Sequence, residues 1–533
     1  MTNSLKYIVS NIRVPLDYRP EELKQLAAEK LGVNKKDIEN IKIVKESIDA
    51  RRKPNICLVY SVLAETGYAL KSVTHGDVRV LEEAAPEPEA HGDKKLKNRP
   101  VVVGAGPAGL FAALVLARKG YKPLLLERGG SVEARTLLVD RYWTGGCLDP
   151  ETNVQFGEGG AGTFSDGKLT TRINDRRCEL VLEELHRSGA PEEILSKAKP
   201  HIGTDILKSV VINLRKKIEA LGGEVRFNAR VTSFRIENGK LTGLTINGRE
   251  EMDAEILVLA IGHSARDTFK ALLEAGVPFQ QKPFSIGVRI EHPQDIINTA
   301  QYGKASSHPR LGAADYQLFY KTSGRTVYSF CMCPGGVVVA AASEQDSIVT
   351  NGMSEYARNR ENANSALVVS VGPGDFGDTH PLAGVEFQRT WERLAYQVGG
   401  GKGAAPVQRL EDFILGKASE GTGTVKPSYT GDVRAADLQG CLPAFVTDPM
   451  KQSIAYFDSK LKGFGMKDAL LTGVETRTSS PVRIPRGDTC EAEGIRGLYP
   501  AGEGAGYAGG IISAAVDGIR IAEQIVKAYA PLK

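Results

Sequence analysis

Cysteine is scarce and badly spaced for chemistry: seven residues are scattered over 533, and none forms a C-x-x-C or C-x-x-x-x-C pair. That excludes a disulfide framework and disfavours the local dithiol loop of disulfide reductases. Cys331 and Cys333, at i and i+2, share one strand face; a redox pair is one reading, but a disulfide across one intervening residue is strained, and the favoured reading is buried structural thiols. No H-E-x-x-H or other compact ligand cluster is present, so no metal is implied. Long apolar runs are also missing. The longest, Leu110 to Ala117, Ile256 to Ile261 and Val337 to Ala342, fall far short of the ~20 residues that cross a bilayer. The first residues carry no apolar signal region, and the expectation is a cytoplasmic chain with reduced thiols and no membrane partner. Neither sign of charge dominates. The 68 Lys and Arg against 64 Asp and Glu leave +4, which points away from nucleic acid as the partner.

What is there is ordinary globular material, 41% hydrophobic and 25% charged, in a chain long enough for several domains. Residues 1–81 alternate strand, helix and strand patterns and read as a small α+β module; 82–98, charged and Pro-bearing, read as a linker. From residue 99 the pattern is apolar strand, glycine turn, apolar helix and a second strand ending on Glu127, a βαβ unit. A helix over 205–221 precedes an antiparallel meander over 225–250, then a buried strand at 256–261. The runs 284–292, 316–322, 326–333 and 337–342 predict an inserted antiparallel sheet, a helix is expected over 391–398, and a last helix runs from about Gly510 to Lys527. The fold class is therefore α/β: a discontinuous Rossmann-like domain at 99–275 and 484–533, an antiparallel-sheet substrate domain inserted at 276–483, and the N-terminal module.

Gly104, Ala105, Gly106, Pro107, Ala108 and Gly109 spell G-x-G-x-x-G between a strand and a helix. Each glycine has a task there: the tight turn, the approach of backbone to a pyrophosphate, and close helix packing. Glu127 stands where a carboxylate accepts hydrogen bonds from ribose hydroxyls and repels a 2′-phosphate, disfavouring NADP; Arg128 beside it is a candidate adenosine contact or a solvated charge. A second glycine-dense loop holds Gly160, Ala161, Gly162 and Thr163, whose N–H groups and hydroxyl can line a further part of a long cofactor. Gly262 ends a buried strand, and Gly502, Glu503, Gly509, Gly510 and Ile511 lead from the last strand into the last helix.

This order of motifs resembles the glutathione-reductase-like superfamily of FAD-binding proteins. More closely, FGEGGAGTFSDGKL, VLAIGHSARDTF, CMCPGG and AGEGAGYAGGIISAAVDG look like the bacterial family described as FAD-utilising dehydrogenases, of unknown substrate, over nearly everything from residue 99 onward. The resemblance implies one non-covalent, extended FAD: adenine at Glu127, pyrophosphate at Gly104 to Gly109, ribitol near Glu503 and the ring by the C-terminal loop. Glu503 replaces the superfamily's usual Asp. The implied activity is an FAD-dependent oxidoreductase moving a hydride between FAD and a small molecule. With no dedicated second Rossmann domain read in the sequence, an NAD(P)H donor would have to bind transiently. Lys168, His263 and Arg477 are the candidates for a catalytic or substrate-side role, each with a plainer reading as surface charge, cap or loop charge. Two other readings stand beside this one: a flavin-dependent RNA-modifying enzyme gripping RNA through Arg51, Arg52 and Lys53, and a non-enzymatic flavin-binding scaffold.

Overall fold

The computed structural model describes residues 5–67, 76–81, 91–322 and 324–532, so residues 82–90 of the expected linker lie outside the described residues. Two compact units partition the chain. The first takes its described residues from Met1–Glu89, Pro191–Pro200 and Asn298–Ala314, the second from Ala90–Ala190, His201–Ile297 and Asp315–Lys533.

The first unit is a four-stranded antiparallel sheet in the order Ile38–Asp49, Cys57–Thr66, Leu5–Pro15, Val78–Val80. Alternation along Cys57–Thr66 buries Leu58, Tyr60, Val62 and Ala64, the period-two pattern of a sheet covered on one face. The helix Pro20–Leu31 buries Leu23, Ala27, Ala28 and Leu31. Pro20 opens it, Glu22 accepts from the Arg19 N–H at 3.0 Å, and Gly32 ends it at a φ of 70°. The segment Pro191–Pro200 joins this unit by adding Ser196 and Ala198 to Glu46 backbone to backbone.

The second unit is built on a five-stranded parallel sheet, ordered Leu498–Pro500, Leu257–Leu259, Val101–Val103, Leu124–Leu126, Glu224–Arg226. Its three central strands are buried on both faces, the mark of a parallel sheet between helices. Glu224–Arg226 corrects the expected meander. The helix Thr204–Ala220 delivers the chain back parallel to Leu124–Leu126, so the meander holds only Val231–Glu237, Lys240–Ile246 and Glu250–Asp253. Its turns sit where read, with Asn238 and Gly239 at φ 50° and 67° and Asn247 and Gly248 at 53° and 70°.

A seven-stranded sheet occupies the middle of the chain: Phe319–Lys321, Thr326–Cys333, Asn362–Val371, Phe284–Pro293, Leu470–Glu475, Ala405–Arg409, Val433–Ala435. It is antiparallel except for its last pair. Val337–Ala340, expected within it, instead pairs with Thr350–Met353 in a separate ribbon, because Gly335, at a φ of 46°, turns the chain away. The helix expected over 391–398 begins earlier, at Ala383. Lys94–Lys95, read as linker, bridges in parallel to Tyr529–Ala530. Among the described residues no helix is long and apolar enough to cross a membrane.

Candidate flavin site

All five parallel strands present their carboxyl ends on one edge. Chain order runs outward in one direction from Val101–Val103 through Leu124–Leu126 to Glu224–Arg226, and in the other through Leu257–Leu259 to Leu498–Pro500. The edge above the first strand is thus a topological switch point, where loops diverge and leave a crevice. The loops at Gly104, Glu127, Gly262 and Gly502 all leave from this edge.

The glycines of the first loop differ in what demands them. Gly104 has a φ of 100°, and a Cβ there would lie 2.3 Å from the Ala260 carbonyl oxygen; one on Gly109 would lie 1.8 Å from the Gly104 oxygen. Packing forbids a side chain at both. Gly106 is otherwise. As N-cap of the helix Pro107–Arg118 it has an ordinary φ of −75°, and a Cβ would meet nothing nearer than the Gly160 Cα at 3.9 Å. Neither strain nor protein contact asks for glycine at 106, and its neighbour across the gap is the second glycine loop.

Glu127 draws three loops together. Its Oε2 accepts from the Ala105 N–H at 2.8 Å, and Oε1 from Gly129 at 2.9 Å and Gly157 at 3.0 Å. A carboxylate has about four acceptor positions, so one remains. Arg128 is committed elsewhere: it donates to Glu151 at 3.0 Å and to Asp267 at 2.8 and 3.1 Å, with its guanidinium over the Phe156 ring.

The second glycine loop, with Gly160–Phe164 as a short 3-10 helix, is held by a residue that sequence reasoning missed. Arg135 is fully buried and donates to the carbonyls of Asn153 (2.8 Å), Val154 (2.9 Å), Gly157 (3.3 Å) and Glu158 (2.7 Å). Burial lowers its pKa to about 10, leaving it cationic at neutral pH, with the charges of Glu127 and Glu158 opposing that fall. The readable signal was a lone charge on the stripe Val132, Arg135, Val139 that the helix buries. Glu158 in turn accepts from the Val132 N–H at 2.8 Å and from Arg215 at 2.7 Å.

On the far side, Asp517 of the helix Ile511–Ala528 accepts from the Gly502 N–H at 2.7 Å and pairs with Arg486 at 2.5 Å. This fixes the loop that carries Glu503. A Cβ on Gly504 would lie 2.5 Å from the Gly262 oxygen, so the loops at 262 and 504 touch backbone to backbone. His263 Nδ1 lies 3.4 Å from Glu503 Oε2, while its Nε2 is buried and without a hydrogen-bond partner. Gly509 and Gly510 are exposed at the N-terminus of the last helix, and Ile511 lies against Gly162, 3.5 Å from where its Cβ would stand. Ala161 and Thr163 belong to the short helix between these points, with Thr163 buried. The loops carrying Gly106, Gly160 to Gly162, Gly262 and Glu503 are therefore neighbours along this edge.

Of the catalytic candidates, Lys168 is part-exposed just beyond this loop, and its backbone bridges to His201. Arg477 lies in a buried ion-pair cluster. It donates to Glu392 at 3.0 and 2.9 Å, to Ser264 at 3.1 Å and to Ser343 at 2.5 Å. Glu392 also takes Arg266 at 2.7 and 3.0 Å. The arginines overcome burial and hold the Glu392 carboxyl far below the usual carboxylate range. This cluster clamps the helix Ala383–Val398 to the start of the helix Arg266–Glu274.

Comparison with known proteins agrees with this geometry. Residues 283–478 match a family described as FAD-dependent protein, C-terminal domain-like; residues 102–136 match an NAD(P)-binding Rossmann-like domain, and 7–65 a domain of unknown function. The class is that of FAD-dependent oxidoreductases built on a Rossmann-like domain. The chain belongs to one family with an uncharacterized protein of Clostridium beijerinckii, to which it is 51% identical over 526 residues, 98% of each chain. The digeranylgeranylglycerophospholipid reductase of Haloferax volcanii is 31% identical over 165 residues, 31% of this chain and 35% of that one. Among solved structures, glycine oxidase from Geobacillus kaustophilus is 10% identical with a TM-score of 0.37, covering 80% of this chain and 94% of that one, too distant to bear on function.

Proposed function

We propose that this protein is an enzyme that holds one extended, non-covalent FAD along the carboxyl edge of its parallel sheet and moves a hydride between it and a small molecule. The observation that carries the proposal is Gly106. Its conformation suits any residue and its Cβ would meet only the Gly160 Cα, at an unstrained 3.9 Å, so the reason for a glycine is the close approach of a ligand's pyrophosphate at the helix N-terminus. In this assignment Gly104 to Gly109 hold the pyrophosphate, the free acceptor position of Glu127 takes a ribose hydroxyl, and Gly160 to Thr163 line the middle of the cofactor. Glu503 takes the ribitol, and Gly262 with Gly509, Gly510 and Ile511 border the ring.

When bound, FAD supplies two-electron hydride chemistry at its ring. The chain's own part is to position and polarise. The N-terminus of Ile511–Ala528, preceded by the exposed Gly509 and Gly510, puts the positive end of a helix dipole beside the ring, stabilising negative charge there. His263, backed by Glu503, offers an unpartnered Nε2 able to hold or move a proton. Burial pushes the Lys282 amine down, with Glu503 opposing that shift and Arg483 adding to it, and Lys282 donates to Ser479 at 2.8 Å. A reduced nicotinamide, if it is the donor, docks transiently. The test is anaerobic mixing of the flavin-loaded protein with NADH, NADPH and a metabolite panel, following flavin absorbance. Rapid bleaching by one compound is expected and names the substrate side; flavin that no donor bleaches refutes an oxidoreductase role.

A further inference from the structure

Two cations stand without anions against the loop that carries Glu503. The chain from Ser479 to Ile484 runs along this loop. Ser480 Oγ donates to the Gly504 carbonyl at 3.1 Å, the Ile484 N–H to the Ala505 carbonyl at 3.2 Å, and the Tyr507 hydroxyl to the Ile484 carbonyl at 3.1 Å. Gln280 and Gln281 pair with Arg483 and Val482, and the Lys282 N–H donates to the Pro481 carbonyl at 2.9 Å. Gly506, whose N–H donates to the Glu503 carbonyl at 2.9 Å, closes the packing. A Cβ there would lie 3.1 Å from the Arg483 Cα and 3.2 Å from the Lys282 Cδ, so the Lys282 side chain and the Arg483 backbone meet at one point of the loop.

Lys282 is half-buried, and its ammonium donates to the Ser479 hydroxyl at 2.8 Å. An ammonium has three N–H donors, and among the described residues no carboxylate pairs with this one. The exposed Arg483 lays its guanidinium over the Tyr507 ring, 4.6 Å from the centroid, and likewise has no carboxylate partner among the described residues. Arg486 shows the contrast: it faces the same ring at 3.7 Å but is neutralised by Asp517. Taking a charge out of water without a counter-ion costs free energy that pairing offsets. Ser479, which accepts from Lys282, keeps its own O–H for a further acceptor. Glu503 is the one carboxylate between Gly502 and Ile511. Two cations against that one anion leave a single positive charge, which matches a carboxylate better than a doubly charged phosphate.

We propose that Lys282 and Arg483, with the Ser479 hydroxyl, hold a carboxylate group of the substrate beside the flavin ring, so that the small molecule served by this site is a carboxylic acid. The inference rests on the FAD site proposed above, which puts the ring by the loop between Glu503 and Ile511. To test it, flavin-loaded protein is titrated with acetate and with benzoate at fixed ionic strength, by calorimetry and by flavin absorbance. Acetamide, benzamide and inorganic phosphate are the comparators. Saturable heat and a shifted flavin band are expected with the carboxylates and not with the amides, and phosphate binds more weakly. The carboxylate Kd should rise at least about tenfold in Lys282→Met and in Arg483→Gln, the size of one lost hydrogen bond between charged groups. Two variants are used because Lys282 is half-buried and its replacement risks the fold, whereas Arg483 is exposed; FAD content and melts certify each. No saturable carboxylate binding, amides binding as well as carboxylates, phosphate binding more tightly, a parental Kd in either variant, or heat without a band shift overturns the inference with the FAD site intact. Protein that takes up no FAD overturns both, and FAD content, read without any added anion, tells the cases apart.

Discussion

Replacing Gly106 by alanine isolates the ligand's demand on the first loop from the fold's. In the folded chain the new Cβ meets only the Gly160 Cα, at 3.9 Å. The φ of −75° and ψ of −179° before Pro107 suit alanine. Loss of a glycine N-cap costs about 0.5–1 kcal/mol, and the stiffer unfolded chain returns about 0.4–1 kcal/mol, so stability stays within about 0.5 kcal/mol of the parent. Against a pyrophosphate the same methyl stands where backbone N–H groups must approach. Losing two hydrogen bonds to a charged group, at about 1.5–3 kcal/mol each, totals roughly 3–6 kcal/mol, a weakening on the order of 10² to 10⁴. Gly109→Ala is the control, since its Cβ would lie 1.8 Å from the Gly104 oxygen and overpacking of that kind costs about 1–3 kcal/mol or more. FAD titration of deflavinated protein and thermal melts of the apoproteins read the two effects separately. Wild-type FAD affinity in Gly106→Ala would refute the pyrophosphate placement, and a melt lowered as far as that of Gly109→Ala would make this glycine structural instead.

Arg135→Met should destabilise by at least about 3 kcal/mol in urea unfolding and release FAD, because four buried carbonyls lose a donor at about 1–3 kcal/mol each before relaxation; a cost under about 1 kcal/mol would show the loop at 153–158 to be held otherwise. Glu503→Leu should weaken FAD about tenfold with the melt little changed, as expected when one charge-assisted hydrogen bond is lost; unchanged affinity would remove it from the ribitol. Acid should also loosen the clamp between the helix Ala383–Val398 and the helix at Arg266. Despite burial, Arg389 and Arg266 hold the Glu344 carboxyl down to about 2, and Glu392 is depressed further. A depressed folded value gives stability that is present above the unfolded carboxylate range, about 4.3, and is lost as pH falls through the folded one. Melts should therefore drop steeply between about pH 4.5 and 2, less so in Glu344→Gln; parallel curves for the two proteins would refute the cluster's part in acid unfolding.

Much of the dinucleotide-binding half was legible in the residues alone. Gly104 to Gly109, the acid at 127, the turns at Asn238 and Asn247 and the helix stripe of Ile512, Val516 and Ile519 are short-range stereochemistry: backbone sterics and burial period within a few residues decide them. The acid's role at the ribose remains an assignment, but its place at the strand end followed from pattern. What spacing could not reveal was assembled by contacts across long stretches of chain. Arg477 read as a loop charge because its partner Glu392 lies 85 residues away, and Arg289 meets Glu475 across 186. The strand at Glu224 joined the parallel sheet rather than the meander because the preceding helix set its direction, and Val337–Ala340 left the large sheet at a glycine whose turn the apolar pattern did not encode. Cys331 and Cys333 show the same difference: the sequence places them two apart on a strand, while the folded chain slips register between Phe330 and Cys333 and Arg289 takes the Cys331 carbonyl. Local sterics act through neighbours along the chain and can be read from it; charge pairing and register depend on which distant segments meet, and only the folded molecule decides that.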